Sequence, residues 1–275
     1  MLQKTGIFLL LGCLLLSFIP QQVDPEKVYQ KKMSEISSGT LPELILRFAQ
    51  SFQGTPYVAN TLEANKEEQL ICRFDALDCT TLVDVSLALA IARQKGLTYA
   101  QFLKQMTDLR YPDGIIQGYP SRLHYFVSWK NEHEAKGLIK DITNELGGIP
   151  YQKEINFMSS HASLYKGIDS PETLAEIKRN EEQVNAKNYY YIPKIKVAGL
   201  EAKLKDGDII GITSTVEGLD CNHQGIIKKI KNRAYLVHAS TTAHKVITST
   251  EPLSIYLNSV KRHSGIMVMR LQDTF

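Results

Sequence analysis

Hydrophobic and polar positions give the chain two textures. Up to about residue 189 the apolar positions recur mostly at helical spacing; beyond it they gather in short β-branched or aromatic runs. In "TLPELILRFAQSFQG" Thr40 reads as an N-cap, Pro42 falls in the first turn and Gly54 follows the end, so a helix is expected there. "GTPYVAN" reads as a turn, and "LICRF" (Leu70–Phe74) as a short strand or extended segment. From Cys79 to Gln94 the chain is apolar nearly all round, with Leu82, Val83, Val85, Leu87, Leu89 and Ile91. A helix apolar on every face is a buried central helix. Asp78 is its expected N-cap and Gly96 its C′ residue.

"LTYAQFLKQMTDLRY" predicts an amphipathic helix, Ser121–Gly137 a further one, and "SPETLAEIKRNEEQVNAKN" another, with Ser170 as N-cap and Pro171 at N1. Residues 24–40 are polar and read as a lead-in arm. After Tyr189, "YYYIP", "GDIIGIT", "HQGIIKKI", "AYLVHAS", "HKVIT" and "GIMVMRL" are separated by Gly, Asn, Lys and Pro, as strands of an antiparallel meander would be. The segregation predicts an α+β fold, with a helical N-terminal part packed on one side of a curled antiparallel sheet.

The first 22 residues stand apart. One cation, Lys4, precedes an apolar run from Ile7 to Ile19. That is short of the roughly 20 residues a membrane span needs, and it fits a signal-peptide h-region. The expectation is a signal peptide over 1–22 and a single domain over 23–275 in an exported protein of the periplasm or cell envelope. "LLGC" ending at Cys13 resembles a lipoprotein cleavage box, but the apolar "LLLSFIP" follows it. A lipid anchor there would be the chain's sole membrane attachment.

Composition adds little to this and excludes one class. The 275 residues carry a net charge of +3, and no basic run alternates with aromatics, so nucleic acid is not an expected partner. With Cys13 removed, Cys72, Cys79 and Cys221 remain. Three is an odd count for an oxidising compartment, so one thiol is left over. No C-x-x-C is present to signal zinc, and no metal or cofactor is expected.

Cys79 has two readings. It is a small core residue at a helix start, or it is a nucleophile. At a helix N-terminus the partial positive charge and unpaired N–H groups favour a thiolate and can hold an oxyanion. A cysteine nucleophile also needs a base and a group that orients the base. His223 opens the strand "HQGIIKKI", and His238 lies in the next strand, "AYLVHAS". Paired antiparallel strands can set the two imidazoles side by side. A lone strand histidine is more often a satisfied core or edge residue, and spacing alone does not decide.

Residues 54–95 and 206–242 resemble the NlpC-type cell-wall cysteine peptidases, which have a papain-like fold. The matching features are "GTPY", "LDCTTLV", "DGDIIGIT", "CNHQGII" and "VHAS", in the chain order Cys, His, His. The resemblance implies Cys79 as nucleophile at the N-terminus of the central helix, His223 as base and His238 as its orienting residue. Tyr57 matches the family's tyrosine near the nucleophile, whose hydroxyl can reach the oxyanion or the substrate. One departure is Thr81, where the family usually keeps a small Gly; it points to an unusual pocket. "YPDGIIQGYPSRLHYFVSW" and "FMSSHASLY" resemble a narrower subgroup, the N-acetylmuramoyl-L-alanine amidase-like proteins.

Those segments lie in a long insertion, about 97–204, suited to narrowing specificity. Its candidate binding residues are Arg122, which could clamp a carboxylate, and His124, Tyr125 and His161. Trp129 and Tyr125 could stack on a sugar, or be ordinary helix core. Cys72 precedes the nucleophile and Cys221 the base, so they could be neighbours and form a disulfide; a metal site built on them is the remote alternative.

The expected activity is hydrolysis of the N-acetylmuramoyl–L-alanine amide in peptidoglycan fragments (muropeptides). The rival bond is γ-D-glutamyl–diamino acid. A catalytically inactive cell-wall-binding module and an acyltransferase are the other classes. Oligomeric state is not readable from the sequence.

Overall fold

The computed structural model describes residues 24–273 except residue 64. The signal-peptide segment and Cys13 lie outside the described residues. In chain order the helices are α1 (Pro25–Glu35), α2 (Leu41–Gln50), α3 (Cys79–Lys95), α4 (Tyr99–Arg110), α5 (Phe126–Ala135), α6 (Phe157–Ser160), α7 (Pro171–Asn185), α8 (Lys194–Val197) and α9 (Leu253–Ser259). The strands are β1 (Ile139–Asp141), β2 (Ile149–Pro150), β3 (Tyr190–Pro193), β4 (Ile209–Ser214), β5 (Cys221–Ile230), β6 (Arg233–Ser240), β7 (Lys245–Thr248) and β8 (His263–Leu271).

The strands form one open antiparallel sheet in the order β2-β3-β8-β4-β5-β6-β7, with β1 also pairing β8. Strands β4 to β7 are a meander, as expected. The last strand is not its continuation: β8 returns beside β4, so β4 is interior. That burial is why "IIGITS" is apolar or small throughout, with no exposed face.

Helix α3 is the centre of the molecule. From Thr81 to Ala92 every residue is buried, as its all-round apolar pattern requires. It packs between α2, α4 and the sheet, against Ile226, Val237 and Ala239 among others. Gly225 is needed where β5 meets β6, because a Cβ there would come within 2.7 Å of the Val237 carbonyl oxygen.

Three expectations change and one narrows. Helices cover both faces of the sheet, not one. A second apolar cluster joins Ile210, Ile212, Ile227 and Leu236 to Val197 of α8 and to Leu253 and Leu257 of α9. Residues 25–35 are a helix rather than an arm: Asp24 caps it, Pro25 starts it, and Tyr29 is buried against Tyr99 and Phe102. "LICRF" pairs with no strand; only Leu77 beyond it makes an isolated bridge, to Tyr57. The helix expected from Ser121 begins at Phe126, since Tyr119–Ser121 is a 3-10 turn and Arg122–Tyr125 runs on to the helix start.

The physical reason for that late start comes from far along the chain. The Asp220 carboxylate accepts the Val127 N–H at 2.9 Å, so the cap of α5 lies 93 residues away. No local cap exists to be read.

Candidate active site

Cys79 is the first residue of α3, as the N-cap reading of Asp78 predicts. Asp78 Oδ1 accepts the Thr81 N–H at 2.8 Å, and Thr81 Oγ1 accepts the Asp78 N–H at 2.9 Å. This is a capping box, with Thr in the place of the usual Glu or Gln. Thr81, expected to mark an unusual pocket, is thus 6% exposed and occupied in fixing the helix start. The small void it lines, about 10 Å³, is at most the size of one water.

Around the thiol, the backbone N–H groups of Thr80 and Gln224 and the Thr80 hydroxyl favour the thiolate. Burial and the adjacent Asp78 carboxylate oppose them and win, pushing Cys79 up to about 12. The helix-start N–H groups act in the expected direction, but burial and Asp78 outweigh them. The thiol needs a partner to take its proton.

Strand β5 supplies the candidate. Its first turn of pairing is irregular: Ile212 faces His223 but Thr213 faces Cys221, so Asn222 is an extra, bulged residue. Such a bulge re-aims the neighbouring side chain. A clamp sits beside it, where Gln224 Nε2 donates to Thr80 Oγ1 at 2.8 Å. Through residues 80 and 224, the neighbours of Cys79 and His223 are bonded directly to each other.

His223 Nε2 lies 2.7 Å from His238 Nδ1. That contact leaves Nδ1 as the free nitrogen of His223. For Nδ1 to accept a proton, Nε2 must carry one and donate it to His238 Nδ1, so His238 carries its own on Nε2. Burial holds both imidazoles neutral: His223 is pushed well below its ordinary value, and His238 down to about 4.

Tyr57 stands at the same place. Its hydroxyl is pushed up to about 12, by burial first and then by Cys79 and Asp78. Its position is fixed by its N–H, which donates to the His244 carbonyl at 2.9 Å.

The insertion residues gather elsewhere. Arg122, His124 and Tyr125 line a groove of about 890 Å³ with Met158, Ile177 and Asn180; Cys79, His223 and His238 are not among its walls. Arg122 does clamp carboxylates, but the protein's own. Its Nε and Nη2 meet both oxygens of Glu68 at 3.0 and 2.8 Å, and Nη1 meets Glu63 at 2.8 Å. His124 Nε2 is 2.8 Å from the Tyr119 carbonyl oxygen. Burial and the Arg122 charge push His124 down to about 3. Tyr125 is 5% exposed, donates to Glu181 at 2.7 Å and accepts the Met158 N–H at 2.8 Å. His161 is exposed and stacks on Phe157 at 4.2 Å. Trp129 is buried core, at 5% exposure.

Cys72 and Cys221 are free thiols, not a disulfide. Among the described residues no group of three or more His, Cys, Asp or Glu is placed to hold a metal. Several residues at or beside the site carried no sequence signal. Lys153 Nζ donates to the carbonyls of Ser214, Val216 and Leu219, and so ties down the loop leading into β5. Asp220, next on, is pushed up to about 6 by burial. Tyr256 packs against His223 and His238. Gln224 was visible only as the variable position of "HQG".

Residues 47–266 match the AmiA-like family, described as N-acetylmuramoyl-L-alanine amidase-like. Among solved structures, a protein from Bacteroides uniformis described as an N-acetylmuramoyl-L-alanine amidase is 39% identical. It has a TM-score of 0.79 and covers 85% of this chain and 100% of its own. A protein from Bacteroides fragilis with a provisional xylanase name is 38% identical at TM-score 0.76, over 82% of this chain and all of that one. A Legionella pneumophila protein, 21% identical with TM-score 0.66 over 90% of this chain and 93% of its own, shares the fold. No curated protein matches the chain.

Proposed function

Because this chain belongs to the AmiA-like family, we propose that it is an exported cysteine amidase that cleaves the N-acetylmuramoyl–L-alanine bond of peptidoglycan fragments. We read its fold as papain-like. The observation that carries the mechanism is the pairing of His223 with His238 at 2.7 Å on the strand whose Gln224 is bonded to the residue after Cys79.

The steps follow from that geometry. His223 Nδ1 takes the Cys79 proton as Sγ attacks the amide carbonyl carbon. Negative charge moves to the carbonyl oxygen. The N–H groups at the start of α3, with the Tyr57 hydroxyl, are the donors available to it. When the tetrahedral intermediate collapses, the C–N bond breaks and His223 returns the proton to the leaving L-Ala nitrogen. Water, losing a proton to His223, then attacks the thioester; the thiol leaves and recovers a proton. The muramyl carboxylate and a free peptide amine are the products. His238 holds His223 in the tautomer that this needs.

The test is digestion of defined muropeptides by wild type and Cys79→Ala, read by mass spectrometry. Wild type releases a peptide beginning with L-Ala and an intact muramyl sugar, and Cys79→Ala loses at least roughly a thousandfold in turnover. Cleavage after D-Glu instead would move the activity to the γ-D-glutamyl bond. A folded wild type with no turnover on any fragment would overturn the enzyme reading.

A further inference from the structure

Tyr256 belongs to α9, on the far face of the sheet from α3, in a segment with no catalytic motif. It is half-buried, and its ring sits among three imidazoles. The ring centroid is 5.1 Å from His238, edge-on at 66°. It is 6.3 Å from His223 and 5.6 Å from His263. Two irregularities in pairing bring these groups together. The bulge at Asn222 sets His223 opposite Ile212, and a second shift between Thr213 and Ser214 sets His263 opposite Ser214. Both occur at the same end of β4, and α9 lies across that end.

His238 is the group this ring serves. It is 1% exposed, and its Nε2 is buried with no hydrogen-bond partner. That nitrogen carries the proton in the tautomer set by His223. An edge-on pair places the positive edge of one ring against the negative face of the other, a favourable contact worth about 0.5–1.5 kcal/mol beyond area. The ring covers the His238 side of the His223–His238 hydrogen bond, and burial is what keeps those imidazoles neutral. The other titratable or charged groups facing this cluster are Cys79 at the start of α3 and His263 on β8, with Lys194 and Arg262 near His263.

We propose that Tyr256 is a positioning residue: its aromatic ring, not its hydroxyl, holds the His223–His238 pair dry and in the tautomer that leaves His223 Nδ1 open toward Cys79. This rests on Cys79, His223 and His238 being the catalytic set.

Two variants of the full mature chain, Tyr256→Phe and Tyr256→Leu, test it. The first readout needs no substrate: the NMR titration of the His223 and His238 imidazoles. In wild type and Tyr256→Phe both titrate well below pH 6.5. In Tyr256→Leu, water reaches the pair and the midpoints rise by about one pH unit, a tenfold change in proton affinity. The second readout is the acid limb of kcat/KM on muropeptides, which moves up by the same amount in Tyr256→Leu, with kcat falling and KM within about twofold. A folded Tyr256→Leu with unshifted imidazoles overturns the proposal. So does a Tyr256→Phe whose imidazoles shift or whose kcat falls more than about tenfold, and that arm decides even if the Leu variant fails to fold. Absent hydrolysis by wild type would defeat the amidase reading alone, because the titration still reports on the ring.

Discussion

At the scale of single residues, the site turns on which groups already have partners. The His238 contact leaves His223 Nδ1 open; Arg122 is not left to a substrate. Its guanidinium is bidentate to Glu68 and also reaches Glu63, and the Arg122 and Glu68 side chains are 7% and 6% exposed. Truncating Arg122 strands two carboxylates. Arg122→Ala is therefore expected to cost about 3–5 kcal/mol in denaturant melts, the usual cost of breaking a buried pair. Any folded fraction should keep wild-type KM. A KM raised tenfold with unchanged stability would return Arg122 to the substrate. On the proposed mechanism His238 behaves differently: His238→Ala is expected to lower kcat by roughly 10²–10⁴ while leaving the melting temperature within a few degrees.

Elements carry the precision. The capping box sets where α3 starts, and so where Cys79 sits relative to β5. Asp78→Ala removes the acceptor of the Thr81 N–H, and about 1 kcal/mol of stability with it. It also removes the charge that raises the thiol, so Cys79 alkylation by iodoacetamide should be faster at pH 8 than in wild type. Slower alkylation would mean that the cap's placement of Cys79 outweighs its charge. The Gln224–Thr80 bond is the second device. Gln224→Leu keeps the volume and deletes the clamp. Turnover is expected to fall by roughly tenfold or more from misplacement alone, with the circular dichroism spectrum unchanged.

For the molecule as a whole, the histidines dictate how stability follows pH. Burial holds His133, His238 and His263 down to about 4 and His124 to about 3, with His223 also well below its ordinary value. Unfolded, each titrates near 6.5, so between pH 6.5 and about 4 the unfolded chain binds more protons. Stability is fully present above pH 6.5 and falls as pH drops through that window. The slope is roughly 1.4 kcal/mol per pH unit for each histidine neutral in the fold and protonated outside it. Asp220, raised to about 6, has the opposite sign: its contribution is present at low pH and is lost as pH rises toward 6. Asp84, also raised by burial, has the sign of Asp220, and five histidines against two carboxylates leave the net direction acid-labile. Melting temperatures at pH 7.0, 5.5 and 4.5 should decrease in that order; a flat profile would contradict the neutral-histidine assignment.

The sequence by itself determined what is encoded locally. The run from Leu82 to Ile91, apolar but for Asp84 and Ser86, read as a buried helix, Asp78 and Gly96 bounded it, and the alternating textures placed β3 to β8 within a few residues. The cap and the thiol's place at the helix start were legible because each depends on neighbours within one helical turn; the pairing of the two strand histidines rested on the family resemblance, because spacing alone left it open. What the tertiary structure alone decided are features whose causes lie far apart in the chain. Asp220 starts a helix 93 residues away, so no local signal could locate Phe126. Arg122 looked free because Glu63 and Glu68, 54 and more residues before it, gave no hint of facing it. The second core behind the sheet, the two shifts in β4 pairing and the seating of Tyr256 on the histidines arise only once β8 folds back beside β4. A hydrogen bond or a ring contact across such distances is specified by packing, and packing is fixed by the whole chain at once.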